Sequence, residues 1–323
     1  MTDQLPIFHH IPAIREALLT QKRAVVAAAP GAGKTTLVPL KLIGEPYLEG
    51  KTILMLEPRR LAARMAAMRM ADLLHEPLGK TVGYQIRNER VAGPSTRIMV
   101  MTEGILTRKI QNDPELSEVG LVIFDEFHER NLHSDLGLAL CLEAADVLRP
   151  DLRILVMSAT LDTGAVKGLL GDAGVIRSDG RSWPVTTVYR QVKTADRNWG
   201  AFERDCAAQV MRALENDEGD ILVFLPGAGE IGRVYDLLRQ TIQSGSISIH
   251  PLYGNLTRKD QDAAIGPSLP GCRKIVLATS IAETSLTIEG VRVVVDGGLM
   301  RVPRYDSGYA MGRLTTVPVS RAS

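Results

Sequence analysis

At 323 residues and 45% hydrophobic content the chain can bury substantial cores, and its length fits about two domains. The 38 basic residues nearly cancel the 37 acidic ones, so a net charge of +1 supports no argument from bulk charge for or against a polyanionic partner. Three cysteines, Cys141, Cys206 and Cys272, show neither CxxC pairing nor a histidine at zinc spacing, which argues against a disulfide framework or a zinc site and fits a reducing, cytoplasmic setting. The start of the chain, MTDQLPIFHHIPAIREALLT, lacks the order of a signal segment, and no apolar run approaches the roughly 20 residues of a membrane span, so no membrane partner is expected.

In chain order, short runs rich in Val, Ile, Leu and Met predict strands: RAVVAAAP, KTILMLEP, TRIMVMTEG, LVIFDE and LRILVMSAT, then GDILVFLPG, RKIVLATS and VRVVVDGG. Each stops at small, polar or turn residues. Helix-patterned segments lie between them, RRLAARMAAMRMADLLH being the clearest. Continuous rather than alternating apolar strands separated by helices predict parallel sheets covered on both faces, an α/β fold. The rhythm breaks at RSDGRSWPVTTVYR, which places a domain boundary at about residue 180 and divides the chain into 1–180 and 181–323.

Ligands of such sheets collect at the carboxyl ends of the strands, and the unusual residues of this sequence sit there. Ala28 to Thr35, AAPGAGKT, fits the phosphate-loop pattern with Ala in place of its first glycine. Gly31, Ala32 and Gly33 let backbone N–H groups face a phosphate chain, and the helix opening at Lys34, Thr35 and Thr36 points its positive end at the same anion. Lys34 reaches the β and γ phosphates of such a ligand and Thr35 binds Mg²⁺. Downstream, LVIF runs into two adjacent acids, Asp125 and Glu126. A nucleotide hydrolase needs an acid at the end of a neighbouring strand to hold Mg²⁺, the place of Asp125, and a general base for water, the place of Glu126. His128, two residues on, is a structural histidine or a participant.

The stretch Asp125 to His128, DEFH, resembles motif II of the DEAH-box helicases, with Phe127 where Ala is usual. Other stretches agree with that family in order and spacing: EPRR at Glu57–Arg60 with motif Ia, TEG at Thr102–Gly104 with Ib, SAT at Ser158–Thr160 with III, FLPG at Phe224–Gly227 with IV and ATSIAETSLTI at Ala278–Ile288 with V. The likeness covers nearly the whole chain. It implies two RecA-like domains, ATP in the cleft between them, and single-stranded RNA or DNA across their faces, bound through its backbone by a monomer. Arg59, Arg60, Arg87, Arg90, Thr102, Gly104, Tyr253, Gly254, Thr279 and Ser280 match strand-contacting positions, Ser280 standing where Asn is common. Arginines suit phosphate contacts that give affinity without base preference; a solvated helix start is the other account of Arg59 and Arg60. Ser158 and Thr160 match a pair linking hydrolysis to strand binding, although either could cap a turn. Arg69 matches an adenine-stacking position, and Thr287 and Glu289 match positions near the ribose. What Phe127 does is left open by the sequence, a bulkier side chain near the Mg²⁺ repacking the wall between the domains being one account. A hairpin near Met300–Tyr305 is either a strand-splitting element or a structural ribbon.

The chain ends at VSRAS, before the Gln- and Arg-rich motif VI and the C-terminal domains of that family. An arginine finger is worth about 10³–10⁵ in turnover, so weak hydrolysis is expected of this chain. Alternatives are a DNA translocase on the same two domains, or a nucleotide-dependent clamp or regulatory module without turnover. No 2′-hydroxyl contact that would select RNA is legible.

Overall fold

A computed structural model describes residues 5–159, 164–178, 184–190, 200–283, 288–308 and 310–320. The chain divides into two compact units, Met1–Pro184 and Val185–Ser323.

The first unit runs α1 (Ile11–Thr20), β1 (Arg23–Ala28), α2 (Lys34–Leu42), β2 (Thr52–Glu57), α3 (Arg60–Leu73), β3 (Val82–Ile86), β4 (Glu89–Val91), β5 (Ile98–Thr102), α4 (Glu103–Asn112), β6 (Val119–Phe124), α5 (Leu132–Glu143), β7 (Arg153–Ser158), α6 (Gly164–Leu170) and β8 (Gly174–Ser178). Its eight strands form one sheet in the order β4-β3-β5-β2-β6-β7-β1-β8. All neighbours pair in parallel except the edge strand β4, which folds back on β3. The continuous apolar strands have a simple cause. Alternate side chains feed opposite faces: Val26, Met55, Val100 and Ile123 join one core with Ile14, Val38 and Met70 from α1, α2 and α3, while Val25, Leu54, Met99 and Val122 join a second with Leu106, Leu138 and Leu170 from α4, α5 and α6.

The second unit runs α7 (Ala201–Asn216), β9 (Asp220–Phe224), α8 (Ala228–Thr241), β10 (Ile247–Leu252), α9 (Arg258–Ile265), β11 (Arg273–Ala278), β12 (Val291–Asp296), β13 (Leu299–Asp306) and β14 (Met311–Pro318). Four parallel strands form the sheet, β10-β11-β9-β12. Ile221, Val223, Ile275 and Leu277 pack with Val210 of α7 and Val234 of α8. The run VRVVVD predicts a strand buried on both faces, yet β12 alternates half-buried and exposed residues because it is the sheet's edge, with Val294 57% exposed. β13 and β14 pair as a separate antiparallel hairpin, so the expected Met300–Tyr305 segment is its first strand. At the hairpin base Arg301 Nη2 donates to Glu230 Oε1 at the start of α8 (3.1 Å).

Candidate functional site

The phosphate loop links β1 to α2. Gly31 and Gly33 hold positive φ, +76° and +92°, conformations that a side chain resists. Ala28, standing where the pattern has its first glycine, is the last residue of β1, fully buried in extended backbone, and an L-residue fits there without strain. A Cβ on Gly31 would meet nothing within 4 Å, so its space opens on the cradle; one on Gly33 would lie 2.7 Å from Leu5 Cδ1. Ile7 N–H donates to Ala32 O (3.2 Å), so the start of the chain braces the loop from behind.

Parallel order sets the loop beside the end of β6. β6 lies two places from β1, across β7, and Asp125 N–H donates to Leu56 O (3.1 Å), tying the acid to the end of β2. Four side chains then converge. Thr35 Oγ1 donates to Asp125 Oδ2 (2.6 Å), Lys34 Nζ donates to Glu126 Oε1 (3.2 Å), and Asp125 Oδ1 accepts the Glu126 N–H (2.8 Å). Lys34, Asp125 and Glu126 are all buried. Burial first, then the charge of Asp125, pushes the Glu126 carboxyl up to about 7 against the opposing pull of Lys34. Glu126 also holds φ +48°, a strained backbone of the kind that collects at working sites.

His128 stands beside this pair, its Nδ1 3.4 Å from Glu126 Oε2. The same Nδ1 accepts the Ala159 N–H (3.3 Å), so the ring proton rests on Nε2. Burial, then Lys34, lowers its pKa and keeps it neutral. Ser158 is buried at the end of β7, one residue before that contact. Thr160 and Thr287 lie outside the described residues.

Two acids escaped the sequence reading. Glu57, the last residue of β2, is fully buried, and among the described residues neither of its carboxyl oxygens finds a hydrogen-bond partner. Burial, then the charges of Asp125 and Glu126, holds its carboxyl well above the usual carboxylate range. Its position before Pro58 at a predicted strand end was the available signal. Glu129 pairs with Arg59, Oε2 to Nη2 at 3.3 Å, a contact across 70 residues that no local pattern encodes.

Phe127, whose role the sequence left open, is 2% exposed, stacks edge-on against Phe124 with ring centroids 6.2 Å apart, and belongs to the first unit's own core.

The remaining candidates gather at the carboxyl edges of the two sheets. In the first unit Arg59 caps α3, Arg60 opens it, Arg87 lies exposed in the β3–β4 turn with Arg90 on β4, and Thr102 caps α4 with Gly104 exposed in its first turn. In the second, Tyr253 and Gly254 follow β10, while Thr279 caps the turn Ser280–Ala282 after β11 and its N–H donates to Leu252 O (3.2 Å). Two residues stand apart. Arg69 is exposed on α3, about 14 Å along the axis from Arg60 at 1.5 Å per residue. Glu289 lies at the amino end of β12, in a cavity of about 670 Å³ shared with Asp220 and Arg273, so it does not join Thr279 and Tyr253.

The cradle, the lysine and the paired acids define a phosphate-loop site on a RecA-like sheet. The sequence model of the DEAD/DEAH box helicases matches residues 10–167, and that of the helicase conserved C-terminal domain matches residues 205–309. The chain belongs to the DEAD/DEAH box helicase family. It is 49% identical over 321 residues to the ATP-dependent RNA helicase HrpB of Escherichia coli (strain K12), covering 99% of this chain and 39% of that protein. It is 36% identical over 329 residues to the probable ATP-dependent RNA helicase DHX34 of Homo sapiens, covering 99% of this chain and 28% of that protein. The crystal structure of the Escherichia coli DEAH/RHA helicase HrpB superposes with a TM-score of 0.90 at 48% identity, over 99% of this chain and 40% of that one. The chain thus spans about two fifths or less of the length of these relatives.

Proposed function

We propose that the chain is the motor core of a DEAH-box helicase that hydrolyses ATP with Mg²⁺ to move along single-stranded RNA, acting as a monomer in the cytoplasm. The observation that carries this reading is the convergence of Lys34, Thr35, Asp125 and Glu126 on a glycine cradle at the carboxyl edge of a parallel sheet. The names of the relatives favour RNA over DNA. The exposed arginines at the same edge, Arg60, Arg87 and Arg90, suit a phosphate backbone.

Mg²⁺ fits the residues present. Thr35 Oγ1 and Asp125 Oδ2 are hard oxygen donors already 2.6 Å apart. Among the described residues no group of three or more His, Cys, Asp or Glu could hold a metal by itself, which suits an ion that arrives with its nucleotide and takes its other oxygens from phosphates and water. Thr35 and Asp125 would hold it, and it would supply charge neutralisation across the phosphates. Lys34 turns its ammonium from Glu126 to the phosphate chain. Glu126, with its carboxyl raised towards neutral pH, takes the proton of the attacking water. His128, neutral and held through Nδ1 by the Ala159 N–H, lies 3.4 Å from the other oxygen of that carboxylate without donating to it.

The test is steady-state ATP hydrolysis by the 323-residue chain with Mg²⁺, titrating single-stranded RNA and separately DNA, with Glu126→Gln as the blank. Weak, strand-stimulated turnover is expected, lowered about 10²–10⁴-fold in the variant, as loss of a general base predicts. Nucleotide and strand binding with wild-type turnover equal to the blank would replace the motor by a clamp.

A further inference from the structure

We infer that Glu129 is a positioning residue through which a bound strand reaches Glu126, because strand phosphate and Glu129 compete for the guanidinium of Arg59. The inference rests on the motor reading above and names a link inside the first unit.

Arg59 leaves the carboxyl end of β2 in extended backbone and caps α3, with its Nη2 3.3 Å from Glu129 Oε2. Both side chains remain partly open to solvent, 25% and 18% exposed, so a phosphate can approach the pair. Glu129 ends a single helical turn, Phe127–Glu129, set between two residues in left-handed backbone, Glu126 at φ +48° and Arg130 at φ +49°. The turn is rigid. Phe127 anchors it in the core, Ala159 holds His128, and the Glu129 N–H donates to Glu126 O (3.0 Å). A displacement of Glu129 therefore has one hydrogen bond to cross before it moves the backbone of Glu126.

Charge gives the direction. Glu129 stands among acids, and its negative charge contributes to holding the carboxyls of both Glu103 and Glu126 above their usual range. Arg59 is a cation opposing that crowding. A phosphodiester drawn to Arg59 brings another negative charge beside Glu129 and weakens the Arg59–Glu129 pair. Strand binding thus loosens Glu129 and shifts the turn that carries Glu126. By linkage, whatever settles Glu126 on a bound nucleotide changes strand affinity by the same factor.

The experiment needs no turnover. Strand affinity of the 323-residue chain is measured by fluorescence anisotropy with a labelled mixed-sequence single-stranded RNA. Affinity for a non-hydrolysed ATP analogue with Mg²⁺ is measured with and without saturating RNA. The chains compared are wild type, Glu129→Gln, Glu129→Asp, Arg59→Ala and the Arg59→Ala/Glu129→Gln double variant. Glu129→Gln is expected to tighten strand binding roughly two- to fivefold, the scale of a partly exposed ion pair, and to bring the factor by which RNA changes analogue affinity towards one. Glu129→Asp falls between it and wild type, and in the Arg59→Ala background Glu129→Gln changes strand affinity no further. Unchanged or weaker strand binding by Glu129→Gln overturns the inference, weaker binding meaning that Glu129 orients Arg59 for the phosphate instead. An effect that survives without Arg59 also overturns it. If the wild-type chain binds neither RNA nor the analogue, the motor reading fails and the inference falls with it; if both bind and only the variants are silent, the inference alone fails.

Discussion

Glu57 gives the nucleotide site a third buried acid beside Asp125 and Glu126. A carboxyl held well above its ordinary value of about 4.5 is neutral over a wider pH range in the folded chain than in the unfolded one. The stability it contributes is complete below the unfolded value and is lost as the pH rises towards the folded one. Glu57→Gln keeps the shape and removes the titration. In chelator-containing buffer without nucleotide, its stability advantage over wild type is therefore expected to grow steadily from about pH 4.5 upward. A difference flat with pH in denaturant titrations would contradict this. Phe127→Ala installs the family's usual residue, yet here it should cost about 3–5 kcal/mol in urea unfolding, because the ring fills a core against Phe124 and the site cannot collapse freely. A loss below about 1 kcal/mol would mean that the core closes over the gap.

The element that depends most on a single glycine is the β3–β4 hairpin, which carries Arg87 in its turn and Arg90 on its returning strand. A Cβ on Gly83 would sit 2.5 Å from Val91 O and 3.1 Å from Ala92 Cβ. The first neighbour is backbone and cannot rotate away. Gly83→Ala should therefore open the antiparallel pairing of β4, at about 1–3 kcal/mol as for other overpacked sites. Faster amide exchange at Glu89–Val91 and weaker strand binding are expected, with affinity for the ATP analogue unchanged, since Lys34 and Thr35 stand on α2 beyond β5, β2, β6 and β7. Equal loss of nucleotide and strand binding would show general unfolding. The elements also differ in how plainly the sequence announced them. β1, β2, β5, β6, β7, β9 and β11 were legible as apolar runs, because a parallel strand buried on both faces has no polar positions to spare, while β12 shows an apolar run although it lies at the sheet's edge. β8 and β10 were not read, being GVIRS and ISIHPL, where an edge place relaxes the demand for apolar residues. β3 and β4 were visible only through Arg87 and Arg90, which match strand-contacting positions of the family.

Each of the two units has its own buried thiol. Burial pushes Cys141 in the first unit and Cys206 in the second up to about 12, whereas Cys272 is half-buried on the cavity at the amino ends of β9, β11 and β12. At pH 8 the first two remain protonated and shielded, so alkylation followed by mass spectrometry should label Cys272 in the folded chain. Cys141 and Cys206 should react only as urea opens their respective units. Rapid labelling of all three without denaturant would refute this packing. No helix among the described residues is long and apolar enough to cross a membrane.

By itself the sequence determined the α/β class, the phosphate loop and the acid pair, and the family to which they belong. Those features are local: a glycine conformation, a strand end and a helix start are written within about ten neighbouring residues. The tertiary structure decided which distant groups meet. It set Thr35 on Asp125 and Lys34 on Glu126, turned Glu57 into a buried acid of the same site, and joined Arg59 to Glu129 across 70 residues of chain. It also sent Phe127 into the core and Glu289 to the amino edge of its sheet, away from Thr279. The physical reason is strand order: β2 and β6 become neighbours, with β1 beyond β7, only when the sheet forms, and a side chain's charge and exposure follow from neighbours that sequence spacing does not specify.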